Sequence, residues 1–131
     1  MNEGLLKAIV TAGDPVIIRL AGELDRSTCS MATSLLDEAI AIGKPIVVLE
    51  MSEVSFIDLS GLRALVEAQV RAGQGGVQLV LRTPSNRVLN MLLLSGNDHL
   101  FPLDLTDSTS AALTLIERRS PTVNTDHLRI I

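Results

Sequence analysis

Aromatic side chains are almost missing from this sequence. Among its 131 residues only Phe56 and Phe101 are aromatic, 2% of the chain, and there is no Trp or Tyr. Stacking of bases on protein rings therefore has almost nothing to use. Cysteine is as scarce: Cys29 stands alone, so no internal disulfide can form. Basic stretches are missing too. A formal net charge of -4 argues against nucleic acid as a direct partner and against docking on an anionic membrane. Hydrophobic residues make up 47%, yet no apolar run approaches the ~20 residues of a membrane span. The start Met1-Asn2-Glu3-Gly4 lacks the basic n-region of a signal peptide. We therefore expect a soluble, cytoplasmic protein with neither nucleic acid nor membrane as its partner. A Gly-rich P-loop and a cluster of metal ligands are absent as well, so no cofactor is expected.

What is present is an alternation of strand and helix patterns, of a length that suits one domain. Leu5 to Val10 reads as a first strand, Asp14-Pro15 as a turn and Val16 to Leu20 as a second strand. These two can pair as a hairpin or lie at an edge. Gly22-Glu23-Leu24-Asp25 breaks the run, and Ser27 or Thr28 can cap a helix reaching about Ile42. Gly43-Lys44-Pro45 stops it. Cys29 falls on the apolar stripe of that helix with Leu36 and Ile40 and reads as a buried structural thiol. A redox switch would need an exposed, low-pKa thiol and a cysteine from another chain.

Ile46 to Met51 is apolar apart from Glu50, the pattern of a central strand covered on both faces. After it, Leu62, Leu65, Val66 and Val70 repeat at helical spacing until Gly73-Gln74-Gly75-Gly76. Arg63, Glu67 and Arg71, four apart, mark the solvated face of that helix. Val77 to Leu81 is another buried strand. Thr83-Pro84-Ser85 starts a helix carrying Val88, Leu89, Leu92 and Leu93, which Gly96 ends. Leu100 to Leu105 holds a final strand broken by Pro102, and Asp107 or Ser108 caps a last helix to about Arg118. Residues 119–131 form a polar tail, flexible or weakly docked. The expected fold is α/β: one domain over residues 1–118, a mixed, largely parallel sheet and about four helices packed against it.

The stretch Phe56-Ile57-Asp58-Leu59-Ser60-Gly61 carries the functional signal. It sets a hydroxyl where a strand ends and a helix begins. There, unpaired backbone N–H groups and the positive end of the helix dipole can hold a phosphate. Gly61 leaves room for a partner to approach. Read locally, Ser60 is equally a simple helix N-cap, Asp58 a loop carboxylate or competing cap, and Asp25 a turn residue. If the carboxyl edges of the strands coincide, Asp25, Asp58 and Ser60 share one surface.

Gly22-Glu23-Leu24-Asp25 after a strand, the run Ile46 to Leu49, Phe56 to Leu62 about 35 residues beyond the first segment, and Val77 to Leu81 together resemble the STAS family. That is the domain of anti-sigma factor antagonists, and the likeness covers roughly residues 5 to 118. The resemblance implies that Ser60, directly before Gly61, accepts phosphate. The family more often has Asp-Ser-Ser-Gly or Asp-Ser-Thr-Gly, so Leu59 is a departure. It further implies an anti-sigma factor with serine kinase activity as partner, bound by the unphosphorylated form, and a metal-dependent serine phosphatase that restores binding. ATP and metal would belong to those partners. Asp25, Asp58, Leu59, Gly61, Leu62 and Arg63 are the expected partner-binding residues; for Arg63 and Leu62 the competing readings are a solvated charge and a core leucine. The other readings are a STAS scaffold or ligand-sensing module, and an enzyme. The enzyme would need a base for Ser60, and His99 and His127 are tied to it by no motif.

Overall fold

The computed structural model describes residues 5–105. Along them run β1 (Leu6–Thr11), β2 (Val16–Leu24), α1 (Cys29–Ala41), β3 (Ile46–Ile57), α2 (Leu59–Gln74), β4 (Gln78–Arg82), α3 (Asn86–Ser95) and β5 (Leu103–Asp104), with a 3-10 turn at Asp98–Leu100. The strands form one sheet in chain order. β1 and β2 pair as an antiparallel hairpin at one edge, and each later pairing is parallel. The expectation of a largely parallel sheet is thus corrected at that edge, where β1 contributes a full antiparallel ladder. Three α-helices, not about four, lie among the described residues. The helix expected from Asp107 or Ser108 to Arg118, the tail 119–131, His127 and the domain end at 118 fall outside them.

The three helices share one core. Leu36 of α1, Leu65 of α2 and Val88 and Leu92 of α3 join Val16, Ile18, Val47, Leu49, Leu79 and Leu81 of the strands in a single buried cluster. Each such side chain contributes about 1.5–3 kcal/mol when fully buried. Within α2 the buried positions are Gly61, Leu62, Ala64, Leu65, Ala68 and Ala72. Small side chains bring the helix close to the sheet, and Val70, expected inside, is 57% exposed. Gln69 fastens this helix: its amide donates to the Leu79 and Leu100 carbonyls and accepts from Leu79 N–H at 2.9–3.0 Å. Arg71, expected on the solvated face, instead bonds Asp37 of α1 at 2.8 Å. Leu93 is another inward expectation that the structure turns outward, at 53% exposed. Cys29 is only half-buried, its thiol donating to the Arg26 carbonyl at 3.4 Å.

Strands β2 and β3 both run further than their apolar segments. Their register shifts twice, between Arg19 and Ala21 and again between Gly22 and Glu23. Each extra residue turns the following side chains to the other face and bends the strand. Burial along the end of β3 therefore falls on Met51, Val54 and Ile57 rather than on alternate residues. Gly22, expected to break β2, continues it with φ +113, and a Cβ there would press on the Leu5 carbonyl. The final strand is reduced to Leu103–Asp104 because residues 98–100 coil into the 3-10 turn.

Candidate functional site

Leu24 and Ile57 are register partners on parallel strands, so β2 and β3 deliver their carboxyl ends side by side. Asp25 and Asp58 follow at once. The junction is tied by the Asp58 N–H, which donates to the Leu24 carbonyl at 3.3 Å. Asp58 has extended backbone and caps α2: its carboxylate accepts from Gly61 N–H at 3.0 Å. Ser60 is the second residue of the helix, half-exposed, and its hydroxyl makes no hydrogen bond among the described residues. The cap reading of Ser60 is therefore corrected in favour of Asp58. A carboxylate does this task at least as well, because it meets the positive end of the dipole as well as the orphan N–H.

Gly61 is needed for packing within the chain. A Cβ at this position would overlap the Leu24 carbonyl oxygen and lie 2.9 Å from Leu24 Cγ. The space that the sequence suggested for a partner is filled by the end of β2. Leu62 likewise belongs to the core at 4% exposed, which corrects its place among surface contacts. Leu59 and Arg63 do face outward, Leu59 at 66% exposed.

The Asp25 loop is built around its own carboxylate. Asp25 Oδ1 accepts from the Ser27 hydroxyl at 2.8 Å, from Ser27 N–H at 2.9 Å and from Thr28 N–H at 3.2 Å. The Ser27 hydroxyl is the main reason the Asp25 carboxyl titrates below its ordinary value of 3.8; partial desolvation opposes this, and the Ser27 and Thr28 N–H groups add to it. Thr28 is the residue that sequence reasoning undervalued. It is 5% exposed, and its hydroxyl donates to the Glu23 carbonyl at 2.7 Å while accepting from Asp25 N–H at 3.0 Å. The Asp-x-x-Thr spacing of Asp25 and Thr28 carries that signal. No sequence signal finds Arg87, whose guanidinium lies 5.8 Å from the Phe56 ring centroid beside the same strand end.

The edge thus presents a free hydroxyl at a helix start, two carboxylates, and an exposed leucine and arginine. A phosphate on Ser60 would gain from the helix start and lose to the carboxylates. His99 sits exposed in the 3-10 turn. Among the described residues no three His, Cys, Asp or Glu gather as a metal site would require, and no helix is long and apolar enough to cross a membrane.

A family model of the STAS domain matches residues 7–112. An anti-sigma F factor antagonist of Paenibacillus polymyxa is 31% identical over 103 residues, covering 78% of this chain and 86% of that protein. Among solved structures, an anti-sigma factor antagonist from Mycobacterium paratuberculosis superposes with a TM-score of 0.70 at 21% identity, over 87% of this chain and 95% of that one. The Bacillus cell fate determinant SpoIIAA in its phosphorylated form gives 0.59 at 21% identity, over 88% and 99%. At that identity the two structures speak to the fold.

Proposed function

This chain belongs to the STAS domain family, and from that footing we propose that it is an anti-sigma factor antagonist switched at Ser60. Unmodified, it binds an anti-sigma factor that is also a serine kinase, and a sigma factor is released. The kinase transfers the γ-phosphoryl group of ATP to Ser60 Oγ. The new P–O bond forms as the bond to the β-phosphate breaks, and the hydroxyl proton leaves to a base of the kinase. A serine phosphatase later hydrolyses the ester with water. In this cycle the chain is ligand and substrate, and the cofactors stay with its partners, in the cytoplasm.

The observation that carries the reading is the unengaged, half-exposed Ser60 hydroxyl beside Asp25 and Asp58, with Asp58 already serving as cap. Phosphorylation adds about -1.5 to -2 charges there. The helix start offsets this by only ~0.3–1 kcal/mol, and the repulsion from solvent-accessible carboxylates is of similar size, about 0–1 kcal/mol. Both effects are small against the stability of a domain, so the fold stays as it is. The cost appears at the partner surface, where a desolvated, unpaired phosphate is expensive. Asp25, Asp58, Leu59 and Arg63 supply contacts, while Gly61 and Leu62 hold them up from beneath.

Incubation with candidate anti-sigma kinases and ATP, followed by mass mapping, tests the site: phosphate is expected on Ser60 and is lost in Ser60→Ala, which still binds. Ser60→Asp is expected to weaken the complex. Undiminished binding by Ser60→Asp, together with phosphate mapped elsewhere, would overturn the reading.

A further inference from the structure

Strand β1 is an edge of the sheet, and among the described residues only β2 pairs with it. The Glu23 N–H donates to the Leu5 carbonyl at 3.0 Å, which fixes the phase of the antiparallel ladder. N–H and C=O groups of one residue point to the same side, and the side alternates along the strand. Lys7, Ile9 and Thr11 therefore face β2, across from Ala21, Arg19 and Ile17. Leu6, Ala8 and Val10 turn their backbone groups outward, and no hydrogen bond reaches those groups among the described residues.

The usual protections of an edge are thin here. Within Leu6–Thr11 there is no proline, and Lys7 is the one charge. The β1–β2 register runs without a bulge. Ile9 is 63% exposed on the face away from the helices, and Val10, on the helix face, is still 42% exposed.

We infer that β1 is a self-association edge: it pairs antiparallel with β1 of a second copy, about a two-fold axis through Ala8. The strand is self-complementary in that register. Ala8 meets Ala8 of the second copy, and Leu6 meets Val10 of the second copy in both directions. Every outward N–H and C=O of the three residues is then engaged. The small Ala8 side chain suits the axis, and Leu6 of the second copy covers the exposed side of Val10. On the other face, the aliphatic stem of Lys7 lies over Ile9 of the second copy. A two-fold through Lys7 would instead set like charges directly opposite each other, which is unfavourable. A two-fold through Ile9 leaves the Leu6 groups beyond the end of the partner strand. Ala8 is the centre that uses the whole edge.

The result is one sheet continuous through both copies, an isologous dimer. An axis perpendicular to the sheet reverses strand direction between copies. The two carboxyl edges point opposite ways, and both Ser60 surfaces remain open. The dimer stands independently of the proposed switch.

Sedimentation of the full chain across a concentration series, paired with amide exchange by NMR, tests this. The mass should climb from 14.0 kDa towards twice that value. The Leu6, Ala8 and Val10 amides should gain protection as it does, while Lys7 and Ile9, already bonded to β2, change little. Ala8→Pro removes an outward N–H and touches no β1–β2 bond. It should raise the dimer Kd by about tenfold or more. Val10→Lys, which sets a charge against Leu6 of the second copy, should do the same, with thermal melts reporting that each variant is folded. A chain that stays monomeric throughout overturns the inference. So does a dimer indifferent to both variants, or one that leaves the Ala8 amide exchanging freely.

Discussion

Replacing Asp58 and Ser60 in turn by alanine separates the residue that builds the site from the residue that is used in it. Asp58→Ala removes the carboxylate that accepts from Gly61 N–H at 3.0 Å. An N-cap of this kind contributes ~1 kcal/mol, within a range of about 0.5–2, and the lost charge at the helix start adds ~0.3–1 kcal/mol. A destabilisation of about 1–2 kcal/mol follows. Ser60→Ala breaks no hydrogen bond among the described residues and places a better helix former in the first turn. Its effect should stay within ~0.5 kcal/mol. Urea unfolding with a shared m-value resolves this difference, as do melting temperatures, at roughly 3–4 °C per kcal/mol for a chain of this size. Asp58→Asn keeps an acceptor oxygen and should recover most of the loss. If Ser60→Ala were as costly as Asp58→Ala, the hydroxyl would be holding the helix, and it would not be free for a phosphate.

Gly61→Ala gains up to ~1 kcal/mol of helix propensity but drives a Cβ onto the Leu24 carbonyl; a net loss of about 2 kcal/mol is expected, and a stabilised variant would show that the contact yields freely. Thr83 holds φ +49, and its buried hydroxyl has no partner among the described residues. Thr83→Gly should therefore stabilise by about 1 kcal/mol, read by the same unfolding curves, and a loss would mean the strain is not there. The Asp25 carboxyl should titrate below 3.8 in a carbon-detected NMR series, with Ser27→Ala moving it back up. Because the folded value is the lower one, its stabilising contribution is complete above the unfolded value of about 3.9 and fades as pH falls through the folded one. A midpoint at or above 3.8 would contradict the loop geometry.

Order and type of the described elements were legible because apolar runs and Gly or Pro stops mark them. The runs Val16–Leu20 and Ile46–Met51 lie within strands, the run from Val77 to Leu81 does so from Gln78 onward, and Ser85 and Gly96 frame α3 where expected. Strand ends were not legible. Glu50, Ser52, Glu53 and Ser55 interrupt the apolar pattern of β3, yet the bulges re-aim Val54 and Ile57 into the core. An alternation rule cannot anticipate an inserted residue. Helix α2 misleads in another way: its core face is lined with Ala64, Ala68 and Ala72, whose small size hides them beside Val70. For the site, the pairing of Asp25 with Asp58 and Ser60 followed from parallel strand ends. The division of labour between Asp58 and Ser60 needed coordinates, since both residue types cap helices equally well. Arg87 joins the neighbourhood through α3, which no local motif encodes.

The Leu24 carbonyl receives the Asp58 N–H and also abuts Gly61. The Ser60 hydroxyl thus rides on a turn clamped to a neighbouring strand, and its surroundings exist only once the chain has collapsed. Any enzyme that adds a group to it has to read a three-dimensional shape; a short peptide carrying the same letters would offer that enzyme very little.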